Sequence, residues 1–572
     1  MASPVELVLM WHMHQPEYRD YASREFRRPW VLLHAIKDYT DMAAHLERHP
    51  SMSAVVNFSP VLLEQVEDYA EQFATGKVRD ALLRLLAHDG ASPLTAGERA
   101  QALRQCFEAN HQRMIQPFPA YKNLLDTFNV LKAERGDDAV SYLSDVFFFD
   151  LVTWYHLGWT GETVRRSSET VTRLMSKSER FTREDRAELF KVLGDLVAGL
   201  IPRYRKLAES GRVELSTTPD HHPLAPLLIN LQGAREAMPG ADLPRAREYP
   251  GGTARVTRQL RDALASHERR FGERPVGVWP AEGAVSAALL AILEANGCEW
   301  CASGEAVIMN SLPANRAAAD ARAMLHQPFK LATPGPVIFF RSDLLSDLIG
   351  FEYAKWNGTD AANNFISRVE EIASGLPEGR VISVILDGEN CWEYYDYNGY
   401  YFLDALYKTL ESHPRLRVTT FRECLRDGSR SGEGGHRDPM TLQRLTAGSW
   451  VFGNFSTWIG SPDKNRAWDL LCAAKQSFDL VMASGRLTEE ESGEAHRQLA
   501  ACEASDWFWW LGDYNPSAAV TSFDELFRAN LGNLYRLLHL PPPASLAQPL
   551  SHGSGHPEAG GTMRRSGEVL QG

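Results

Sequence analysis

Val381–Tyr395, VISVILDGENCWEYY, decides the reading of the fold. Its apolar half, between Arg380 and Asp387, reads as a fully buried strand, rich in Val and Ile and too short for a helix. The run then turns polar at once. Asp387, Gly388, Glu389 and Asn390 crowd two acids and an amide onto the turn where the strand ends, with Trp392, Tyr394 and Tyr395 directly behind them. In parallel α/β folds the carboxyl ends of strands are where ligands bind. Two acids beside clustered aromatics suggest acid/base chemistry on a sugar, because aromatic faces pack on the apolar faces of pyranose rings. One such turn alone is usually an Asx-type turn with its acids in water. What raises this one is that the arrangement recurs upstream.

The second copy is Val276–Ser286, VGVWPAEGAVS. A short strand ending in Trp279 is broken by Pro280, presents Glu282 on a turn ending in Gly283, and leads into an apolar helix over Val285–Asn296 that Gly297 terminates. Glu282 then stands at a strand's C-terminal end, as Asp387 does. A pair of Asp/Glu residues flanking one bond is what glycoside hydrolysis requires.

Outward from these two turns, short apolar runs alternate with helical patterns, the signature of a mostly parallel sheet or barrel of about seven strands. Val5–Trp11 is the first strand, and His12 and His14, followed by Gln15 and Pro16, line a pocket at its end. Ala54–Phe58 and Val213–Thr218 follow, separated by a mostly helical stretch to about residue 210. Further strands are expected near Glu299–Ala302, at Pro336–Phe340 and at Val418–Phe421. Asp427–Asp438 reads as a surface loop or domain junction. Beyond it Lys464–Ser484, Thr488–Glu503 and Ser522–His539 carry helical periodicity. Residues 541–572 are rich in Pro, Gly, Ser and His and are expected to be disordered.

A length of 572 residues admits several domains or one large barrel with insertions. The formal charge of −13 argues against a nucleic-acid partner. The N-terminus lacks a basic n-region and no apolar run spans a bilayer, so a soluble cytoplasmic protein with no membrane partner is expected. Seven scattered cysteines do not form a disulfide framework, and Cys298 and Cys301, despite their CxxC spacing, read as core thiols.

Five stretches taken in order resemble the successive motifs of glycoside hydrolase family 57. They are His14-Gln15-Pro16; Glu214–Pro219 with His222-Pro223; Trp279-Pro280-Ala281-Glu282-Gly283; Leu386–Asn390; and Ala447–Gly460, with Trp450, Asn454 and Trp458. The similarity continues through Ser505–Trp510 to about residue 540 and is nearest to the amylopullulanase and α-amylase-like members. It implies an incomplete seven-stranded (β/α) barrel over residues 1–430 with a helical insert at about 60–210. It also implies a helical domain over 431–540 that completes the active site. The implied reaction is retaining cleavage of an α-glucan or malto-oligosaccharide, with Glu282 as nucleophile and Asp387 as acid/base. His12, His14, Glu214, His222, Trp279, Glu389, Trp392, Trp450, Asn454 and Trp458 are the implied substrate-binding residues. No metal or cofactor is needed for this chemistry. Asp220-His221 and Cys391 depart from the family pattern and leave bond preference open.

Three other readings remain. A 4-α-glucanotransferase or branching-type transglycosylase would use the same site. A metal-dependent hydrolase or deacetylase would draw on His12, His14, His221, His222 and Asp387. A non-catalytic glucan-binding module would leave both carboxylates idle. Chain-length preference and oligomeric state are not legible.

Overall fold

Val5–Met13 (β1) pairs with three other strands, and every residue in it after Val5 is buried. Burial on both faces requires helices on both sides of the sheet, which is why the strand reads as one apolar run. The structure, a computed structural model, describes residues 5–313, 318–377, 380–428, 438–555 and 563.

The remaining strands are Ala54–Phe58 (β2), Val213–Thr217 (β3), Gly277–Val278 (β4), Trp300–Ser303 (β5), Phe329–Leu331 (β6), Val337–Phe340 (β7), Val381–Asp387 (β8), Leu416–Thr419 (β9) and Met440–Leu442 (β10). The order β7-β5-β4-β3-β2-β1-β8 is parallel throughout. The sheet curls until the ends of β7 and β8 meet at a single parallel bridge, Arg341 to Ser383, where the Ser342 amide donates to the Ser383 carbonyl at 2.8 Å. It is thus an incomplete barrel of the (β/α)7 kind followed by a helical region.

Register matters more for function than closure. His12 lies opposite Asp387 on one side and Asn57 on the other, and Thr217 lies opposite Val278. The C-terminal ends of five neighbouring strands therefore finish level, and their loops share one mouth.

Two short strands escape the sequence reading. β6 runs antiparallel to β7, and β10 runs parallel to β6, so the chain returns to the sheet beyond residue 430. Three residues are too few to show an alternating pattern. The strand expected at Val418–Phe421 starts earlier, at Leu416, and a helix has begun by Phe421.

Behind the sheet run long helices, among them Arg183–Glu209, which starts with a Thr182/Asp185 capping box. The C-terminal helices Pro462–Ser484, Glu489–Cys502, Asp506–Trp510 and Ser517–Leu537 reach the strand ends. One buried ion pair fastens them to the barrel. Glu503 accepts two bonds of 2.7 Å from Arg255, on the barrel helix Gly252–Phe271, a third from Gln259 at 2.5 Å and a fourth from Tyr249. Arg255 and Glu503 are both buried.

The tail is a correction in part. Residues 541–555, expected to be disordered, pack on this region: Leu546 and Leu550 are buried, and the Leu550 amide donates to Asp524 at 2.9 Å. Two apolar anchors and a backbone hydrogen bond suffice to hold this Pro-rich stretch on the helices. Residues 556–562 and 564–572 lie outside the described residues.

Replacing Arg255 by Met should leave the Glu503 carboxylate buried without its cation and destabilise the protein by about 3–5 kcal/mol, measured by urea unfolding.

Candidate active site

Glu282 is placed by a strained turn. Pro280 ends the β4 segment, and Glu282 and Gly283 both take left-handed backbone, with φ of 59° and 54°. A side chain at Gly283 would strike the Trp279 ring at 2.9 Å, so this position needs glycine twice over. A glutamate at positive φ is a rare, costly conformation that surroundings must enforce. The enforcement comes from Val285 and Gly448, which exchange backbone bonds of 2.8 and 3.1 Å, and from the Trp450 amide, which donates to the Glu282 carbonyl at 3.2 Å.

Asp387 ends β8. Its Oδ2 accepts from Asn390 at 2.8 Å, and Gly388 behind it lies so close to Met13 that a Cβ would meet the sulfur at 2.2 Å. Glu282 and Asp387 line the same cleft, with His12, His14, His222, Glu389 and Trp450. Burial, then the negative charges of Asp506 and Asp387, push the Glu282 carboxyl up to about 8, against the donors Ser505 and Trp450. Burial pushes Asp387 up to about 6, opposed by Asn390, His14 and Arg341. Glu389 is raised well above the carboxylate range by burial and by Asp387.

Three histidines stack along one wall. The His14 and His222 rings lie 3.7 Å apart at 13°, and the His12 and His222 rings 5.1 Å apart. Burial holds the His12 ring down to about 3 and His222 well below the usual imidazole range, so both are neutral. A chain of contacts runs from Glu282 Oε1 through Ser505 Oγ (2.9 Å), His222 Nδ1 (2.9 Å), His222 Nε2 to His12 Nε2 (3.1 Å), and His12 Nδ1 to Asn57 Oδ1 (2.6 Å). Each neutral ring carries one proton, so the chain has two self-consistent directions. With Asn57 Oδ1 facing His12, every donor points toward Asn57, and Glu282 must be protonated to donate to Ser505. Turning the Asn57 amide reverses every link and leaves Glu282 ionised.

The other residues named from sequence divide clearly. Glu214 sits at the opposite end of β3, where it accepts from Trp300 at 2.7 Å and from the Arg422 amide, away from the cleft. Trp279 is fully buried beneath Trp450, and Trp392 is buried with its indole donating to the Gly388 carbonyl at 2.9 Å. These two tryptophans support the turns that carry Glu282 and Asp387 from behind. Asn454 closes a local turn by accepting from the Ser456 amide, and Trp458 packs in the helical region against Trp509. His221 turns aside to Asp220 and Tyr21.

Asp506 and Ser505 escape the sequence reading. Asp506 meets His14 Nε2 at 3.1 Å, Ser505 bonds Glu282, and the Ser505 amide donates to the His222 carbonyl at 2.9 Å. The signal available for them is the polar pair that opens the aromatic run Trp507–Trp510. Of those rings Trp509 and Trp510 line the cleft and Trp507 is core.

His14, His222 and Asp506 bring ligating atoms within 4.8 Å of one another and could hold a divalent cation. This is a different set from the one the sequence suggested, since His12 is committed to Asn57 and His221 faces away. His45, His49 and Asp404 form a second such group near the N-terminal end of β2. All seven cysteines are buried and free.

Residues 8–436 match the profile of glycosyl hydrolase family 57. Among solved structures the fold is similar to a branching enzyme from Thermococcus kodakaraensis, with a TM-score of 0.55 and 16% identity over 93% of this chain and 90% of that one. It is similar to a branching enzyme from Pyrococcus horikoshii, with a TM-score of 0.54 and 15% identity over 95% and 96%. The α-amylase AmyC from Thermotoga maritima gives 0.54 and 13% over 94% and 93%. At such identities the likeness establishes the fold.

Because the Glu282 carboxyl is raised from 4.5 to about 8, folding with it ionised is unfavourable. Its contribution to stability is complete below about pH 4.5 and is lost as pH rises through about 8. Glu282→Gln should therefore leave the thermal midpoint unchanged at pH 4 and raise it increasingly toward pH 9, followed by scanning calorimetry across that range.

Proposed function

The chain belongs to glycosyl hydrolase family 57, and we propose that it is a retaining enzyme acting on α-glucans through a covalent glycosyl-enzyme intermediate. The observation that carries this reading is that Glu282 and Asp387, on the ends of separate strands, face one cleft with both carboxyls raised. Retention asks for two carboxyls about 5–5.5 Å apart, one attacking and one transferring a proton. Glu282 attacks the anomeric carbon while Asp387 protonates the departing glycosidic oxygen. Asp387 then takes a proton from the hydroxyl that resolves the intermediate.

The free cleft holds its proton on the other partner. Glu282 is the harder of the two to ionise. Bound sugar reverses the order, because its glycosidic oxygen accepts a proton from Asp387 and positive charge developing at the anomeric carbon favours an anionic Glu282. The Asn57–His12–His222–Ser505 chain supplies donors to that anion once the Asn57 amide has turned.

Transfer to a second sugar in place of water is the other reading of the same chemistry. It is favoured by the wall of Trp509, Trp510 and Phe523 on the helical side of the cleft, which offers an acceptor sugar aromatic faces. It is also favoured by the end-to-end match to two proteins described as branching enzymes.

The singly protonated pair is the active form, so kcat/KM should be bell-shaped with limbs near pH 6 and pH 8. Asp506 raises Glu282, so Asp506→Asn should move the alkaline limb to lower pH while leaving the acid limb in place. A profile in which Asp506→Asn moves only the acid limb contradicts the assignment.

Chromatography of maltoheptaose digests tests the reaction itself. Shorter sugars alone identify a hydrolase, and shorter together with longer ones identify a glucanotransferase. Glu282→Gln should lower either activity by about a thousandfold or more. A fully active Glu282→Gln enzyme ends the proposal.

A further inference from the structure

The turn that carries Asp387 has a second face. Glu389 and Asn390 border the cleft, and between Trp392 and Asn398 the same segment walls a separate cavity of about 570 Å³. That volume falls within the ~300–1,000 Å³ of small-molecule sites. Nothing in the proposed reaction uses it. Met114, Phe118 and Met175 line it, together with Tyr397 and Asn398.

We propose that this cavity and the tyrosines at its mouth are a second binding site for an α-glucan chain, one that holds the polymer while the cleft works on it. The inference rests on the α-glucan reading above and adds a site to it.

Four observations carry it. First, Tyr397 is 57% exposed, and Tyr394 and Tyr401 on the same segment are 44% and 47% exposed, so three large rings in eight residues face water. Tyr397 and Tyr401 stand edge to face with centroids 5.4 Å apart, and the exposure of both rings leaves aromatic surface open to a sugar.

Second, Tyr397 and Asn398 both hold left-handed backbone, with φ of 53° and 54°. Two successive non-glycine residues in that region are strained and must be held in place. The hold is visible: Asn398 Nδ2 donates to the buried Asp41 at 2.8 Å.

Third, the same Asn398 is nine-tenths buried, lines the cavity, and has an Oδ1 with no hydrogen-bond partner. A buried acceptor left unmet is costly, and a sugar hydroxyl supplies the missing donor.

Fourth, the cations around the cavity are already paired. Arg113 bonds Asp396, Arg165 and Arg166 both bond Glu162, and Lys37 bonds Asp38. Cations spent in this way offer little to a phosphate or carboxylate. A neutral, hydroxyl-rich ligand with apolar faces fits this lining better than an anion.

Position supplies the link to the reaction. Trp392 lines the cavity, and its indole donates to the Gly388 carbonyl beside Asp387, so one rigid turn separates the two sites.

Affinity electrophoresis of the full chain through gels containing glycogen tests the site. Wild type and Glu282→Gln should both be retarded, since the cavity is untouched in each. Tyr397→Asn removes the ring while Asn accepts left-handed backbone readily, and should bind glycogen about fivefold more weakly. Tyr397→Trp should restore retardation, which a merely structural role of this exposed residue would not produce. Equal retardation of Tyr397→Asn and wild type, or no retardation of wild type, overturns the second site. Retardation of wild type without turnover of maltoheptaose overturns the cleavage reading instead and leaves this site standing.

Discussion

The buried bond between Arg255 and Glu503 is the interaction on which the site depends. Two of the cleft's polar groups, Ser505 and Asp506, lie within three residues of Glu503 and far in sequence from every strand. A helical region resting on the barrel by apolar contact alone could slide, because such contacts are non-directional. The bidentate guanidinium and the two further donors on Glu503 allow one position only. With that position set, Ser505 reaches Glu282 and Asp506 reaches His14 without further adjustment.

Glu282 concentrates the expense of the design. Its backbone is strained, its carboxyl is buried, and two other acids face it. Each feature is unfavourable for folding, and each suits the proposed role of this carboxyl as a nucleophile. The histidine wall makes the arrangement tolerable by offering a chain of neutral donors and acceptors that is complete with Glu282 either protonated or ionised. Charged histidines could not do this, since a ring with two donors has no acceptor to pass the pattern on. Burial of His12 and His222 is therefore as much a part of the site as the carboxyls.

The turn from Gly388 to Asn398 illustrates how a barrel loop can serve two surfaces. Trp11 and Trp392 pack beneath it with centroids 5.8 Å apart, and a Cβ at Gly388 would run into Met13. A loop supported so closely on its inner side is rigid, and its outer side can then present exposed rings in fixed orientation. Rigid presentation lowers the ordering entropy that binding a long, flexible polymer must overcome.

Much of this was legible in the residues. Buried strands announce themselves as short apolar runs ended by polar turns, and the runs ending at His12, Thr217, Trp279 and Asp387 did so because a parallel sheet buries both faces and changes character where it stops. That same abruptness marked Glu282 and Asp387 as acids on strand ends. Type and position were local properties, and local sequence determines them. Contact was not. Glu214, a substrate-binding residue by resemblance, stands at the far end of its strand, a distinction set by where along β3 it falls relative to its neighbours' ends. Trp279 and Trp392 looked like sugar platforms and are the floor beneath the turns, because only packing decides which side of a ring meets solvent. Asp506 could be placed beside His14 only by the fold, since the Arg255–Glu503 bond joins segments about 250 residues apart and no local pattern encodes such a pairing.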